Sequence, residues 1–189
     1  MTDSEGLASL AKAELLNKLL KPAFYDQIRT QEQLTYSPFT ASFKVADSVA
    51  FGLFTQSPSI GTKALYARFE VFLDNFKSVL MKTKKSDFEE IKKAHIANYL
   101  TKPSNLSGEF SYLTNEWSDN KKEIDTKLKY VAALESVTLE QVQKTYMDLF
   151  FNQEKIQQII VQVKGKKFNK EEALTLPKQV TILSIDQLQ

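Results

Sequence analysis

The chain has no cysteine and a single histidine, His95. Without thiols there is no disulfide, no thiolate nucleophile and no cysteine-ligated metal, while reducing and oxidising compartments both stay open. One imidazole would leave a zinc site built from this chain alone dependent on carboxylates, away from the His-dominated ligand sets of catalytic zinc. A Ser-His-Asp arrangement would have to run through His95. There is no run of about 18 apolar residues and no charged-then-apolar amino terminus, so neither a membrane span nor a secretory signal is expected. Charge of one sign is also lacking. Lys and Arg number 25 against 23 Asp and Glu, dispersed along the chain, and the net charge of +2 gives no field that grips phosphate backbones. Nucleic acid and membrane are therefore not expected partners. No stretch is dense enough in Gly, Pro or Ser to act as a linker, and no repeat of about 20 to 50 residues appears.

What is present is core-forming material. The 189 residues are 42% apolar, enough for one domain with a real interior over 1–189. Leu16, Leu19, Leu20, Ala23, Phe24 and Ile28 fall at helical spacing, with Pro22 as a kink or restart, and predict a helix leading to Arg29. Phe39, Ala41, Phe43 and Val45 alternate with Thr40, Ser42 and Lys44, the period of a strand with one buried face. Ala46-Asp47-Ser48 reads as a turn. Val49 to Thr55 resumes strand character, with Val49, Phe51 and Leu53 on one side and Gly52 on the other, giving an antiparallel hairpin.

Helices follow. The first carries Leu65, Phe69, Phe72, Phe76 and Val79 on one stripe. Ser86 with Glu89 forms a capping box for a second with Phe88, Ile91, His95 and Tyr99, ended by Pro103. Ser104 caps a third with Leu106, Phe110, Leu113 and Trp117, and a fourth carries Leu128, Val131 and Leu134. Thr138 with Gln141 repeats the capping box ahead of Val142, Tyr146 and Leu149. Ile159, Val161 and Val163 predict a returning strand over Gln158 to Lys164, and Val180 to Ile185 a peripheral one in a weakly constrained tail, 166–189. A hairpin, a helical block and a returning strand make an α+β domain, an antiparallel sheet with helices packed on one face.

Candidate chemistry is sparse. His95 shares a stripe with Phe88, Ile91 and Tyr99 and reads as a packed histidine, since neither H-x-x-E-H nor H-E-x-x-H surrounds it. Lys82, Lys84, Lys85, Lys92 and Lys93 are diluted by Asp87, Glu89 and Glu90 and read as a solvated helix face. Phe69, Phe72 and Phe76 read as core. The polar stretch from Phe24 to Tyr36 differs, because it places an Arg and a Tyr at a helix-to-strand junction, where binding groups tend to sit.

Within it, Ile28-Arg29-Thr30-Gln31-Glu32-Gln33-Leu34-Thr35-Tyr36 resembles the L-R-T-x-E-Q-L-G-Y segment of the insulinase/pitrilysin zinc metallopeptidases. The order that follows, hairpin, Gln-Ser loop, long helices broken at Lys102-Pro103, then a strand, also resembles the last of that family's homologous domains over residues 8–165. The resemblance implies the LuxS/MPP-like metallopeptidase fold. It also implies that this is the non-catalytic C-terminal domain of a longer zinc endopeptidase that degrades peptides in an enclosed chamber. Zinc would sit elsewhere in the parent, none in this chain. The partners would be the remaining domains of the parent and a peptide substrate, and the isolated chain would be inactive. The first residues read as a cut within a longer protein, and bacterial members imply a periplasmic location.

Two positions carry over by the motif: Arg29 and Tyr36 match residues that reach substrate near the zinc. A guanidinium can donate in fork geometry to a peptide carbonyl or carboxylate, and a phenol to the oxygen that turns negative in a tetrahedral intermediate. The alternative is that Arg29 pairs with Glu32 and Tyr36 is a packed strand residue. Thr35 stands where the motif has glycine, which bears on close backbone approach. Two other readings of the whole stay open: a zinc-free scaffold or assembly partner of the same family, and an independent peptide-binding interaction module.

Overall fold

The computed structural model describes residues 4–45, 48–119, 126–152, 154, 156–170 and 174. Helix α1, Ser4–Tyr25, runs straight into a π-turn, Asp26–Gln31. Strands β1, Phe39–Val45, and β2, Ser48–Phe54, follow, then helices α2, Thr62–Met81, α3, Lys85–Leu100, α4, Leu106–Asp119, α5, Thr126–Ser136, and α6, Leu139–Phe150. A 3₁₀ turn, Lys166–Phe168, lies beyond them.

The helix predicted from Leu16 begins far upstream. Leu7, Ala11 and Leu15 continue the stripe of Leu16, Leu20, Phe24 and Ile28 at intervals of one helical turn, and all seven are buried. Pro22 interrupts neither stripe nor helix, because it sits on the exposed side where losing one backbone donor is tolerated. This spine touches both strands and α2, α3, α5 and α6. Phe24 meets Phe69 and Phe72 edge-on, with ring centroids 5.3 and 5.1 Å apart, and Phe72, Phe76 and Tyr146 carry the aromatic contact across to α6. The Tyr146 hydroxyl donates to the Leu73 carbonyl, and burial pushes this phenol above the usual tyrosine range.

The hairpin is antiparallel as expected, Phe39 opposite Phe54 through Val45 opposite Ser48, and α1 packs against both strands; Ala46 and Asp47 of the expected turn lie outside the described residues. Its faces are the reverse of the simplest reading of β1. Phe51 and Leu53 pack on the core, and the register sets Ser42 and Thr40 beside them, so Thr40 is 4% exposed while Phe39 is 50% exposed. The buried hydroxyl is satisfied by the Asn17 side chain of α1. Outside, Phe39 stacks on Phe54 at 4.7 Å above Gly52, where a Cβ would fall 2.4 Å from the Phe54 ring.

Other expectations are corrected. On α2 the buried position is Leu80, and Val79 points to solvent. The Ser86 hydroxyl donates to Asp87 instead of capping α3, and Asn105, not Ser104, caps α4 by accepting from the Gly108 N–H at 2.8 Å. On α5, Tyr130 takes the inward place expected of Leu128. The stripe Leu106, Phe110, Leu113 and Trp117 of α4 is exposed. Residues 158–164 join no ladder among the described residues, and Ile159, Val161 and Val163 face outward. Val180 to Ile185 lies outside the described residues. The Thr138–Gln141 capping box forms as read.

Two buried polar contacts join the helices. Lys92 is not part of a solvated patch. Its ammonium donates to the carbonyls of Val137 and Glu135 at 2.9 and 3.3 Å, just past and within the last turn of α5, and pairs with Glu89 at 3.0 Å. A cation there complements the negative end of the α5 dipole. His95 Nε2 lies 2.9 Å from the Glu14 carboxylate of α1, which fits its reading as a packed histidine. Burial works to raise the Glu14 pKa, but His95, Tyr130 and Lys18 together outweigh it and hold the carboxyl below its usual value.

Lys92→Ala should cost about 1.5 to 3 kcal/mol in urea unfolding at unchanged m-value, since it leaves two carbonyls at the end of α5 without their charged donor. For Glu14, the folded pKa is depressed, so its contribution is present above the unfolded value of 4.5 and lost as pH falls through the lower folded value. Thermal unfolding measured from neutral to acid pH should show a stability loss below pH 4.5 that is reduced in Glu14→Gln.

Candidate functional site

The end of α1 widens because its polar side chains are spaced for a wider turn. The Glu32 N–H donates to the Gln27 carbonyl at 2.9 Å, five residues back. Two side-chain pairs repeat that spacing: Gln31 donates to Asp26 at 2.6 Å and Gln27 to Glu32 at 2.9 Å. Buried Ile28 fixes the turn to the core, and its carbonyl accepts from the Leu34 N–H at 3.0 Å. Gln33 then takes a left-handed conformation, φ 52°, which turns the chain towards β1.

Arg29 stands on the exposed side of this turn, its guanidinium 5.2 Å from the Tyr25 ring centroid. It does not pair with Glu32. That carboxylate faces Arg68 of α2 at 3.4 Å, an ion pair that ties the connection to the next helix. The planar guanidinium over a ring keeps its edge donors available. Tyr36 is 81% exposed and lies ahead of β1, so it is not a packed strand residue. Both candidates thus project from one connection between α1 and β1, and no hydrogen bond or ring contact among the described residues joins them to each other.

Thr35, beside Tyr36, is 6% exposed. Its hydroxyl donates to the Gln56 carbonyl at 2.6 Å and accepts from the Ser37 N–H at 3.3 Å. Sequence reasoning missed Arg68 and Gln56, whose partners lie far along the chain. For Thr35 a signal was present, a hydroxyl at a position where the motif has glycine.

The arrangement offers two outward hydrogen-bond donors, Arg29 and Tyr36. No group of three or more His, Cys, Asp or Glu among the described residues could hold a metal ion, and the single imidazole is committed to Glu14. These residues do not fit a zinc site. An open cleft elsewhere, bordered by Glu5, Ser9 and Lys12 of α1, Phe51 of β2 and Thr145 of α6, includes neither Arg29 nor Tyr36. No helix among the described residues is long and apolar enough to cross a membrane.

The chain is similar to known proteins over much of its length. Residues 15–114 match the family described as PQQ synthase PqqF-like, C-terminal lobe domain 4. Protease 3 of Escherichia coli K12 is 29% identical over 137 residues, 72% of this chain and 14% of that protein. A nardilysin-like protein of Arabidopsis thaliana is 23% identical over 183 residues, 96% of this chain and 18% of its own length. Among solved structures, pitrilysin superposes with a TM-score of 0.69 at 27% identity, over 75% of this chain and 15% of that one. A protease from Helicobacter pylori shares the fold, with a TM-score of 0.58 at 14% identity over 74% of this chain and 34% of the other. The chain therefore spans about one seventh of Protease 3, and it belongs to the PqqF-like C-terminal lobe domains of the insulinase-family zinc peptidases.

Proposed function

We propose that this domain serves a longer zinc endopeptidase by forming part of the chamber wall and presenting Arg29 and Tyr36 to peptide substrate. The observation that carries the reading is the α1–β1 connection. It holds an arginine and a tyrosine outward on a segment braced by Ile28, by the Glu32–Arg68 pair and by Thr35, with neither donor spent on a hydrogen bond or ion pair among the described residues. Family membership supports the parent's class. The domain's own residues do not fit the metal, so water activation belongs to another part of the parent, and this chain by itself is inactive.

The chemistry left to the domain is positioning and charge stabilisation. Arg29 binds a carbonyl or the carboxylate of a peptide end through its fork. Tyr36 donates its phenol proton in a hydrogen bond to the carbonyl oxygen as that oxygen gains charge, an interaction stronger in the transition state than in the ground state. The exposed apolar stripe of α4 favours a second role beside this one, assembly with the parent's remaining domains or with a relative.

Hydrolysis of a quenched fluorescent peptide by the full-length parent separates the two. Chelator-sensitive cleavage that falls about 100-fold in Arg29→Ala or Tyr36→Phe at unchanged folding is the expected result. Cleavage indifferent to both substitutions would leave the domain as wall alone, and a parent that cleaves nothing would leave assembly as its role.

A further inference from the structure

Tyr36 can act as a donor only if its backbone is held while its side chain stays in solvent, and the loop contains a device that does this. The Thr35 hydroxyl bridges two backbone groups: it donates to the Gln56 carbonyl at 2.6 Å and accepts from the Ser37 N–H at 3.3 Å. The second bond closes a small ring around Tyr36, and the first fastens that ring to a different part of the chain. The ground it is fastened to is itself ordered, since the Ser57 hydroxyl accepts from the Ser59 and Ile60 N–H groups at 3.2 and 3.3 Å. Thr35 is buried while the next residue is among the most exposed of the large hydrophobic side chains.

We propose that Thr35 is a positioning residue for Tyr36: its hydroxyl, shared between Gln56 and Ser37, sets the direction in which the phenol meets substrate. This rests on the reading that Tyr36 contacts substrate. A hydroxyl that both donates and accepts does what neither an apolar side chain nor a bare backbone does at this place. Misplacing a reacting contact by about 1 Å is enough to cost about 100-fold in rate, so a small loosening of the loop reaches the chemistry.

The test is steady-state peptide cleavage by the full-length parent carrying Thr35→Val, Thr35→Ser, Tyr36→Phe and the Thr35→Val/Tyr36→Phe pair. Valine keeps the volume and removes the hydroxyl; Thr35→Ala is the second hydroxyl-free variant should valine disturb folding. Thr35→Val should lower kcat by about 10- to 100-fold at unchanged KM, Thr35→Ser should retain kcat, and Thr35→Val should add no further loss once Tyr36 is Phe. Full activity in Thr35→Val while Tyr36→Phe is impaired would overturn the positioning role and leave the Tyr36 contact standing. So would a Thr35→Val loss that persists undiminished in the Tyr36→Phe background, which marks a structural effect. A Tyr36→Phe enzyme as fast as the parent, or a parent that cleaves nothing, would overturn the substrate-contact reading and this inference with it.

Discussion

Burial of one helix stripe organises this domain. From Leu7 to Ile28 the inward residues of α1 and its π-turn recur about once per turn, and each large apolar side chain removed from water there is worth about 1.5 to 3 kcal/mol. The hairpin and four of the other helices touch this post. The spine also decides where the polar connection begins. Ile28 is its last inward residue, so Arg29 is turned to solvent by the same geometry that buries its neighbour. The candidate site is thus the end of the core's central post, where packing stops and hydrogen bonding takes over.

That handover explains how donors on a connection can be held without a metal or a covalent tie. Paired side chains spaced by five residues support the wide turn, Arg68 takes the Glu32 charge, and the Thr35 hydroxyl fastens the chain to the β2–α2 loop. A tyrosine on an anchored loop gives up little freedom on meeting substrate, which is how preorganised donors contribute in a dry site. No group of three or more His, Cys, Asp or Glu among the described residues could hold a metal ion, and on the proposed reading the domain contributes geometry and charge.

Much of the fold was legible because it rests on local periodicity. The α+β class, the antiparallel hairpin, the Thr138–Gln141 cap and the Phe69, Phe72, Phe76 stripe follow from spacing alone. What was missed rests on contacts between distant segments. Alternation in β1 shows that two faces differ but not which one meets α1, and Asn17, waiting to satisfy Thr40, reversed the obvious choice. Lys92 reads as a surface charge until α5 brings two carbonyls to it across more than forty residues. The Gln158 to Lys164 segment has a strand's pattern without a partner strand among the described residues. In the site, Arg29 and Tyr36 came from a motif, whereas Arg68 and Gln56 had no local signal.

On the proposed reading, the surface carrying Tyr36 meets peptide substrate. Photo-crosslinking tests it most directly: a benzoyl-phenylalanine side chain at position 36 of the full-length parent, irradiated with a labelled, slowly cleaved peptide. Peptide label covalently attached at position 36, and competed away by unlabelled substrate, is the predicted result. Label absent from position 36 while the same peptide crosslinks elsewhere in the parent would contradict it.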